Sequence, residues 1–281
     1  MKKLITAVAT ALALTISLPA QAESIKRKVC VFDIVGNVGP VMSAMKDWQA
    51  AALAWDLEVE VIPHTNEAIA AEDLKAGVCD AALITGIRGR NFNKYAGTID
   101  SIGAIPSMEH MNVVLKVLAH PQTADKLSQG SYQIMGVAPA GAAYVFVNDR
   151  EINSLAKAAG KRVAVLEYDE TQAILVSQVG ATPVGSDVTN FSTKFNNGVV
   201  DVIAAPLVAY DALELYKGLS PDGGIIDYPL AQLTIQLVAK KDRFPADMAQ
   251  KSRDQGYYDQ DMLGLLRKVR CKMDPTRAEC T

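Results

Sequence analysis

Residues 28–85, KVCVFDIVGNVGPVMSAMKDWQAAALAWDLEVEVIPHTNEAIAAEDLKAGVCDAALIT, alternate between strand-like and helix-like hydrophobic patterns. Short apolar runs predict buried strands, and apolar residues at helical spacing predict the helices between them. The predicted strands are residues 28–34, 57–62 and 81–85, and the predicted helices are residues 41–54 and 66–76. A βαβαβ order of this kind indicates a parallel sheet with helices on both faces.

The same unit recurs in the second half of the chain. Strands are predicted at residues 161–165, 182–184 and 200–204, and helices at residues 171–179 and 191–196. The ends of the two units are alike, because GVCDAA at residues 77–82 matches GVVDVI at residues 198–203. In each copy a glycine ends the helix and an aspartate is predicted just inside the next strand. The sequence therefore predicts two similar α/β lobes.

Two long strand-like stretches, residues 133–148 and 224–240, are predicted to cross between these lobes. Lobe 1 then comprises residues 23–140 and 231–281, and lobe 2 comprises residues 141–230. Helices predicted at residues 245–256 and 258–270 pack on lobe 1. A double crossing of this kind forms a hinge, because few residues absorb the closing motion.

The first 22 residues have the pattern of a secretory signal. Lys2 and Lys3 precede an uncharged apolar stretch at residues 4–18, and small residues lie before a cleavage site after Ala22. An uncleaved membrane anchor is the alternative. Cleavage removes two lysines and no acid, which takes the formal net charge from −3 to −5. We expect a soluble periplasmic protein without a nucleic-acid partner or a membrane-inserted segment, since such partners select basic surfaces.

The four cysteines fit an oxidising compartment. Their positions suggest the pairs Cys30–Cys79 and Cys271–Cys280, although four cysteines allow three pairings. A metal site is the alternative, but the sequence has no Cys-x-x-Cys and its three histidines are scattered. We therefore predict structural disulfides, no metal site and no cofactor.

One region of lobe 2 resembles a known family. NDREINSL at residues 148–155 is followed by GKRVAV at 160–165, VGATPV at 179–184 and GVVD at 198–201. In order and spacing these motifs resemble the extracytoplasmic binding subunits of TRAP transporters, of the C4-dicarboxylate and sialic-acid type. The chain is also similar to orphan solute-binding proteins that are sometimes linked to drug efflux. The resemblance implies a type II periplasmic-binding-protein fold, a small-molecule ligand between the lobes and a membrane permease as partner.

The chain departs from the family at the residues that hold the ligand's carboxylate. The family's clamping arginine aligns with Ala164, and a second arginine of the sialic-acid binders aligns with Tyr144. The family's asparagine falls near Ala205. Arg162 lies two residues along the strand from the clamp position, about 7 Å away. The resemblance therefore does not carry a dicarboxylate specificity over to this chain.

Candidate ligand contacts follow the carboxyl ends of predicted strands, where such folds bind their ligands. Asn37 lies in the first of these loops, before a helix N-terminus with free N–H groups, although a plain turn explains it equally. Arg88 and Arg90 lie after the third strand and suit an anion, unless both are simply solvated.

The loop at residues 166–171 carries three acids and a tyrosine. Glu167 and Tyr168 suit an amine or hydroxyl, whereas Asp169 and Glu170 are expected to cap the following helix. Further candidates are Glu109, at the expected cleft floor, Tyr144 on the crossing strand, and Tyr210. Structural roles for these three are the alternative.

We interpret the chain as a solute-binding protein and not an enzyme, because it has no nucleophile-elbow or zinc-protease motif. One alternative is a ligand-sensing or partner-binding periplasmic protein without a TRAP permease, including an efflux-associated one. A periplasmic hydrolase using Ser107, Glu109 and His110 is the other.

Overall fold

The computed structural model describes residues 24–255 as a mixed sheet flanked by helices. The predicted signal sequence, Cys271, Cys280 and the helix predicted at residues 258–270 lie outside the described residues. The strands are β1 (Ile25–Phe32), β2 (Leu57–His64), β3 (Ala81–Thr85), β4 (Ser128–Gln129), β5 (Tyr132–Val147), β6 (Arg162–Leu166), β7 (Thr182–Ser186), β8 (Val202–Pro206) and β9 (Gly224–Lys240). The helices are α1 (Pro40–Ala52), α2 (Glu67–Ala76), α3 (Gly86–Gly89), α4 (Lys94–Gly97), α5 (Met108–Ala119), α6 (Leu155–Ala158), α7 (Glu170–Gln178), α8 (Phe191–Asn196), α9 (Ala209–Ala212), α10 (Tyr216–Leu219) and α11 (Met248–Gln255).

The strand order is β2-β1-β3-β9-β5-β8-β6-β7, with β4 paired to β5. The first and last three strands of this order are the parallel sheets of the two repeats. Strands β5 and β9 run antiparallel to each other and to the strands beside them, and so join the two parallel sheets. This arrangement confirms the predicted two-lobed α/β fold with two crossing strands.

The pairing of β5 with β9 is irregular where the two strands pass from one lobe to the other. Their pairing shifts register between Pro139 and Gly141 and again between Ala143 and Val145. Pro139 lacks the N–H that a regular ladder needs, and Gly141 has a positive φ of 87°. The predicted lobe boundaries at residues 140 and 231 fall within this irregular stretch, which fits a hinge between two more regular sheets.

Each lobe has its own apolar core. In lobe 1, one core cluster includes Leu74 and Met111, and another includes Met45 and Leu237. The main core of lobe 2 forms around Phe146, Phe195 and other residues. The disulfide Cys30–Cys79 is confirmed, and both cysteines are fully buried in lobe 1. Each lobe is therefore packed around apolar residues of its own.

The matching aspartates of the two repeats have the same structural role. Asp80 and Asp201 each precede a strand by one residue, so the prediction that they lie inside the strands was wrong. Each accepts a backbone N–H of the neighbouring strand at 2.8 Å, from Lys28 and Arg162 respectively. The Arg162 guanidinium also pairs with Asp201 and lowers the pKa of that carboxyl to about 2. Arg162 therefore holds the far end of lobe 2, away from the carboxyl ends of its strands.

Candidate functional site

The two lobes meet between the loop that follows β3 and the loop that follows β6. Both loops lie at the carboxyl ends of parallel strands, which is the edge where α/β sheets bind ligands. Lobe 1 contributes Glu67 and Arg88, and lobe 2 contributes Tyr168. We call these three residues the interlobe cluster.

Glu67 is the fully buried acid of the interlobe cluster. Asn66 caps α2 by accepting from the Ala68 N–H at 2.9 Å, which sets Glu67 in the first turn. Its Oε1 atom accepts from the Thr85 N–H at 2.7 Å, and its Oε2 atom lies 3.0 Å from Arg88 Nε. Glu67 therefore holds the end of β3 and balances the charge of Arg88.

Tyr168 reaches Glu67 and Arg88 from lobe 2. Its hydroxyl donates to Glu67 Oε2 at 3.2 Å, and its ring centre lies 3.7 Å from the Arg88 Cζ atom. Burial, and next the negative charge of Glu67, raise the pKa of Tyr168 far above its usual value. The hydroxyl therefore stays protonated and acts as a donor between the lobes.

Arg88 has N–H groups without hydrogen-bond partners among the described residues, although the residue is only 9% exposed. Its Nε contact with Glu67 is an ion pair without hydrogen-bond alignment. Its two terminal nitrogens form no hydrogen bond to any residue between 24 and 255. Stacking on Tyr168 covers one face of the planar guanidinium and leaves its in-plane N–H groups available. Such groups can bind an oxygen of a ligand.

A second contact crosses the cleft beside the interlobe cluster. The Arg90 Nη1 atom lies 3.5 Å from Asp169 Oδ2, and Arg90 Nε donates to the Gly97 carbonyl at 3.2 Å. Asp169 also caps α7 by accepting from the Thr171 N–H at 3.2 Å, which confirms the predicted cap. Asp169 thus fixes the start of a lobe 2 helix and contacts lobe 1 at the same time.

A buried acid, Asp100, bonds to Thr234 of the crossing strand β9. Asp100 accepts from the Thr234 N–H at 2.6 Å and from its hydroxyl at 2.7 Å. Burial raises the pKa of Asp100 to about 7, against the lowering effects of the Thr234 hydrogen bonds and of Arg90. Gly86 is required here, because a Cβ atom would overlap the Asp100 carboxylate. Asp100 therefore connects the loop that follows α4 to β9.

Asn37 lies in the loop before α1, as expected, and outside the interlobe cluster. Asn37 is exposed, and its backbone carbonyl accepts from Lys46 at 3.3 Å. The N–H groups expected to be free at the start of α1 are partly taken by Asp33. The Asp33 carboxylate accepts from the Met42 N–H at 3.0 Å and the Val35 N–H at 2.9 Å. The Asp33 carboxylate therefore occupies the place at the start of α1 where an anionic ligand group would bind.

Three further candidates do not join the interlobe cluster. Tyr144 is 4% exposed and packs in the core of lobe 2, because its side chain is on the core face of β5. Tyr210 packs against the same core, with its ring 6.0 Å from the ring of Tyr216. Glu109 is exposed in the first turn of α5. The sequence pattern could not show on which face these side chains lie.

The remaining sequence candidates are close to the cleft or have structural roles. Glu167 is exposed, and its side chain lies over Gly185 rather than toward Arg88. Ser107 caps α5, and its hydroxyl lies 2.8 Å from His110 Nδ1. That pair is exposed and forms the first turn of the helix, which explains the contact without catalysis.

Sequence reasoning missed Glu67 and Asp100. Glu67 follows a capping asparagine, so its only sequence signal was that of an acid complementing a helix dipole. Asp100 lies outside any predicted strand or helix. Both gain their importance from contacts with residues more than 100 positions away.

Within the described residues, Cys30, His64 and Asp73 place potential metal-ligand atoms within 4.8 Å of one another. Cys30 is bonded to Cys79 and so has no thiolate to offer. The oxidised protein therefore lacks the sulfur ligand that this group would need.

Solved structures with this fold are TRAP periplasmic solute-binding proteins. One from Roseobacter denitrificans, with bound β-D-glucuronate, has a TM-score of 0.70 at 15% identity over 89% of this chain and 85% of its own. One from Pseudomonas aeruginosa, with bound L-malate, has a TM-score of 0.70 at 13% identity over 89% of both chains. The ectoine-binding protein TeaA, in its apo state, has a TM-score of 0.67 at 15% identity over 91% of this chain and 86% of its own. These likenesses confirm the fold that the sequence resemblance implied.

Sequence comparison adds relatives from Acinetobacter baumannii. The probable solute-binding protein AdeT1 is 38% identical over 89% of this chain and 98% of its own length. The probable solute-binding protein AdeT2 is 31% identical over 56% of this chain and 66% of its own length. No helix among residues 24–255 is both long and apolar enough to cross a membrane. Residues 32–255 match the family model described as Solute-binding protein AdeT 1/2. The chain belongs to this family of solute-binding proteins.

Proposed function

We propose that this protein captures a small organic ligand in the cleft between its lobes, in the periplasm, and catalyses no reaction on it. The family supports a solute-binding role, and similar structures bind molecules as small as L-malate. The proposed contacts are Arg88, Arg90 and Tyr168. Asn37, Glu109, Tyr144, Glu167 and Tyr210 are left out of the proposal, because they lie outside the interlobe cluster.

The observation that carries this proposal is the state of Arg88. The Arg88 side chain, 11% exposed, lies between the lobes. Its buried Nε atom has no aligned hydrogen-bond partner, and its terminal N–H groups bond to none of the described residues. Buried polar groups usually have partners, and those without one call for an explanation. A ligand oxygen in the cleft supplies the partner and gains a bidentate contact.

Closure of the lobes around the hinge is the proposed mechanism. A ligand that contacts both Arg88 and Tyr168 favours the closed form by its difference in affinity for the two forms. The irregular pairing of β5 and β9 supports this reading, because few residues there need to change. Small-angle scattering with and without ligand checks it, and identical profiles count against closure.

Export by the signal sequence at residues 1–22 and hand-over to a membrane permease complete the proposal. The presence of the disulfide Cys30–Cys79 and the fold of TRAP binding proteins support an extracytoplasmic site of action. Co-purification with membrane proteins encoded beside its gene tests the permease. Fractionation of cells tests the compartment.

A thermal-shift screen of the mature protein against charge-diverse metabolites tests ligand capture. A ligand at 100 times its Kd stabilises a protein by about 2.7 kcal/mol, which is about 5–10 °C for a domain of this size. We expect Arg88→Lys to lose most of this shift, because lysine cannot form the planar bidentate contact. Arg150→Lys is the matched control, since Arg150 bonds backbone carbonyls at the far end of lobe 2. Equal shifts in both variants would refute the role of Arg88.

A further inference from the structure

Both arginines of the cleft already face acids of this chain. Arg88 pairs with Glu67 at 3.0 Å, and Arg90 pairs with Asp169 at 3.5 Å. The side chains of Glu67 and Asp169 are 0% and 11% exposed, so solvent does little to screen their charges. The cleft therefore offers hydrogen-bond donors without a net positive charge.

Glu67 cannot withdraw from Arg88 when a ligand enters. One of its oxygens is fixed by the Thr85 N–H at 2.7 Å and the other by the Tyr168 hydroxyl at 3.2 Å. A rotation of this side chain would leave the Thr85 N–H without its acceptor in a buried place, which is costly. The negative charge thus stays beside the proposed ligand.

An anion bound at Arg88 would add a second negative charge against one positive charge. In a closed cleft that excess charge is buried, and a buried charge without a partner is strongly unfavourable. A molecule without net charge meets no such penalty. Its oxygen can still accept from the terminal N–H groups of Arg88.

We propose that Glu67 is a specificity-determining residue, which excludes net-negative ligands and selects zwitterionic or neutral polar ones. This inference rests on the proposed function. A zwitterion presents its carboxylate to Arg88 and carries its own cation. The cation can then face the Glu67 side of the ion pair. Removal of the Glu67 charge converts the same site into an anion site.

The variant Glu67→Gln tests this proposal with acetate as the probe. Glutamine keeps the size of the side chain and an oxygen for the Thr85 N–H, while it leaves Arg88 unbalanced. We expect Glu67→Gln to bind acetate with a Kd at least tenfold lower than that of the wild type, measured by thermal shift against chloride at equal ionic strength. The double variant Glu67→Gln/Arg88→Gln should lose this gain. Equal acetate affinity in the wild type and the single variant overturns the proposal.

The wild-type protein supplies a second test that needs no altered side chain. In a metabolite panel sorted by net charge, the ligands that stabilise it should be zwitterions or neutral compounds. Stabilisation mainly by net-negative acids overturns the specificity and leaves solute capture standing. No stabilising compound at all overturns solute capture itself, and the acetate comparison still decides the role of Glu67.

Discussion

Asp100 makes the stability of this protein depend on pH in a direction that can be calculated. Its pKa is about 7 in the folded protein and 3.8 as an isolated group, because burial disfavours its charged form. Between these values the folded state holds a proton that the unfolded state has released. Stability is therefore full below about pH 4 and falls as the pH rises toward 7. Between pH 5 and pH 8 the loss from this one group is about 2–3 kcal/mol.

Asp100→Asn should remove that loss, because the amide has no charge to bury and keeps an oxygen for the Thr234 N–H. Urea unfolding at pH 5 and pH 8, compared with the wild type, measures the difference directly. We expect the variant to be more stable relative to wild type at pH 8 than at pH 5. Asp125→Asn, at an exposed position, is the control and should follow the wild type. If the difference between Asp100→Asn and wild type is the same at both pH values, the reasoning is refuted.

The structure leads to three further predictions. Tyr168→Phe removes the hydroxyl that donates to Glu67 and keeps the ring over Arg88, so urea unfolding should show a loss of about 1.5–3 kcal/mol; no loss would mean that this bond is absent in solution. Replacing Cys30 and Cys79 by alanine opens a loop of 49 residues, and chain entropy then predicts a loss of about 4 kcal/mol in the same assay. An unchanged midpoint would show that the bond does not form. Gly86→Ala forces the Asp100 carboxylate away from its place and should cost about 1–3 kcal/mol. Gly224→Ala is the control, because a Cβ atom there would meet only Arg150, at 3.5 Å, which is an ordinary contact. Equal losses in the two would contradict the steric account.

Local patterns predicted the strands and helices of the two repeats well, because each of these elements depends on its own residues, but they did not predict α5. The bounds of β3, α8 and β9 are those expected, and Asp169 caps α7 as expected. The prediction for β8 was two residues early, since Asp201 lies before the strand and bonds to the neighbouring strand instead. Strand ends are set by such cross-strand bonds, which a local pattern does not contain.

The site was only partly predictable. Arg88 and Tyr168 were candidates because both follow strands, and the parallel arrangement of β3 and β6 in their sheets puts those ends at the cleft. Their partner Glu67 was missed, because it contacts Tyr168 across 101 positions of sequence. Tyr144 was selected by alignment, but its side chain lies on the core face of β5. The charge balance of the cleft therefore became visible only in three dimensions.

The lobes already contact each other through residues of the proposed site. Contacts that already join the lobes include those of the Tyr168 hydroxyl to Glu67, of its ring to Arg88, and of Arg90 to Asp169. A desolvated cation–π contact is worth about 2 kcal/mol, and the exposed part of the Arg90 pair adds less. These contacts favour the closed form before a ligand binds, and a ligand that contacts both lobes adds to that stabilisation.

A crystal structure of the protein with a compound from the thermal-shift screen would show directly whether Arg88 holds the ligand. We expect a ligand oxygen within about 2.7–3.2 Å of a terminal nitrogen of Arg88, with Glu67 still bonded to Thr85 and Tyr168. A ligand bound outside the cleft, or one inside it that does not contact Arg88, would contradict the account.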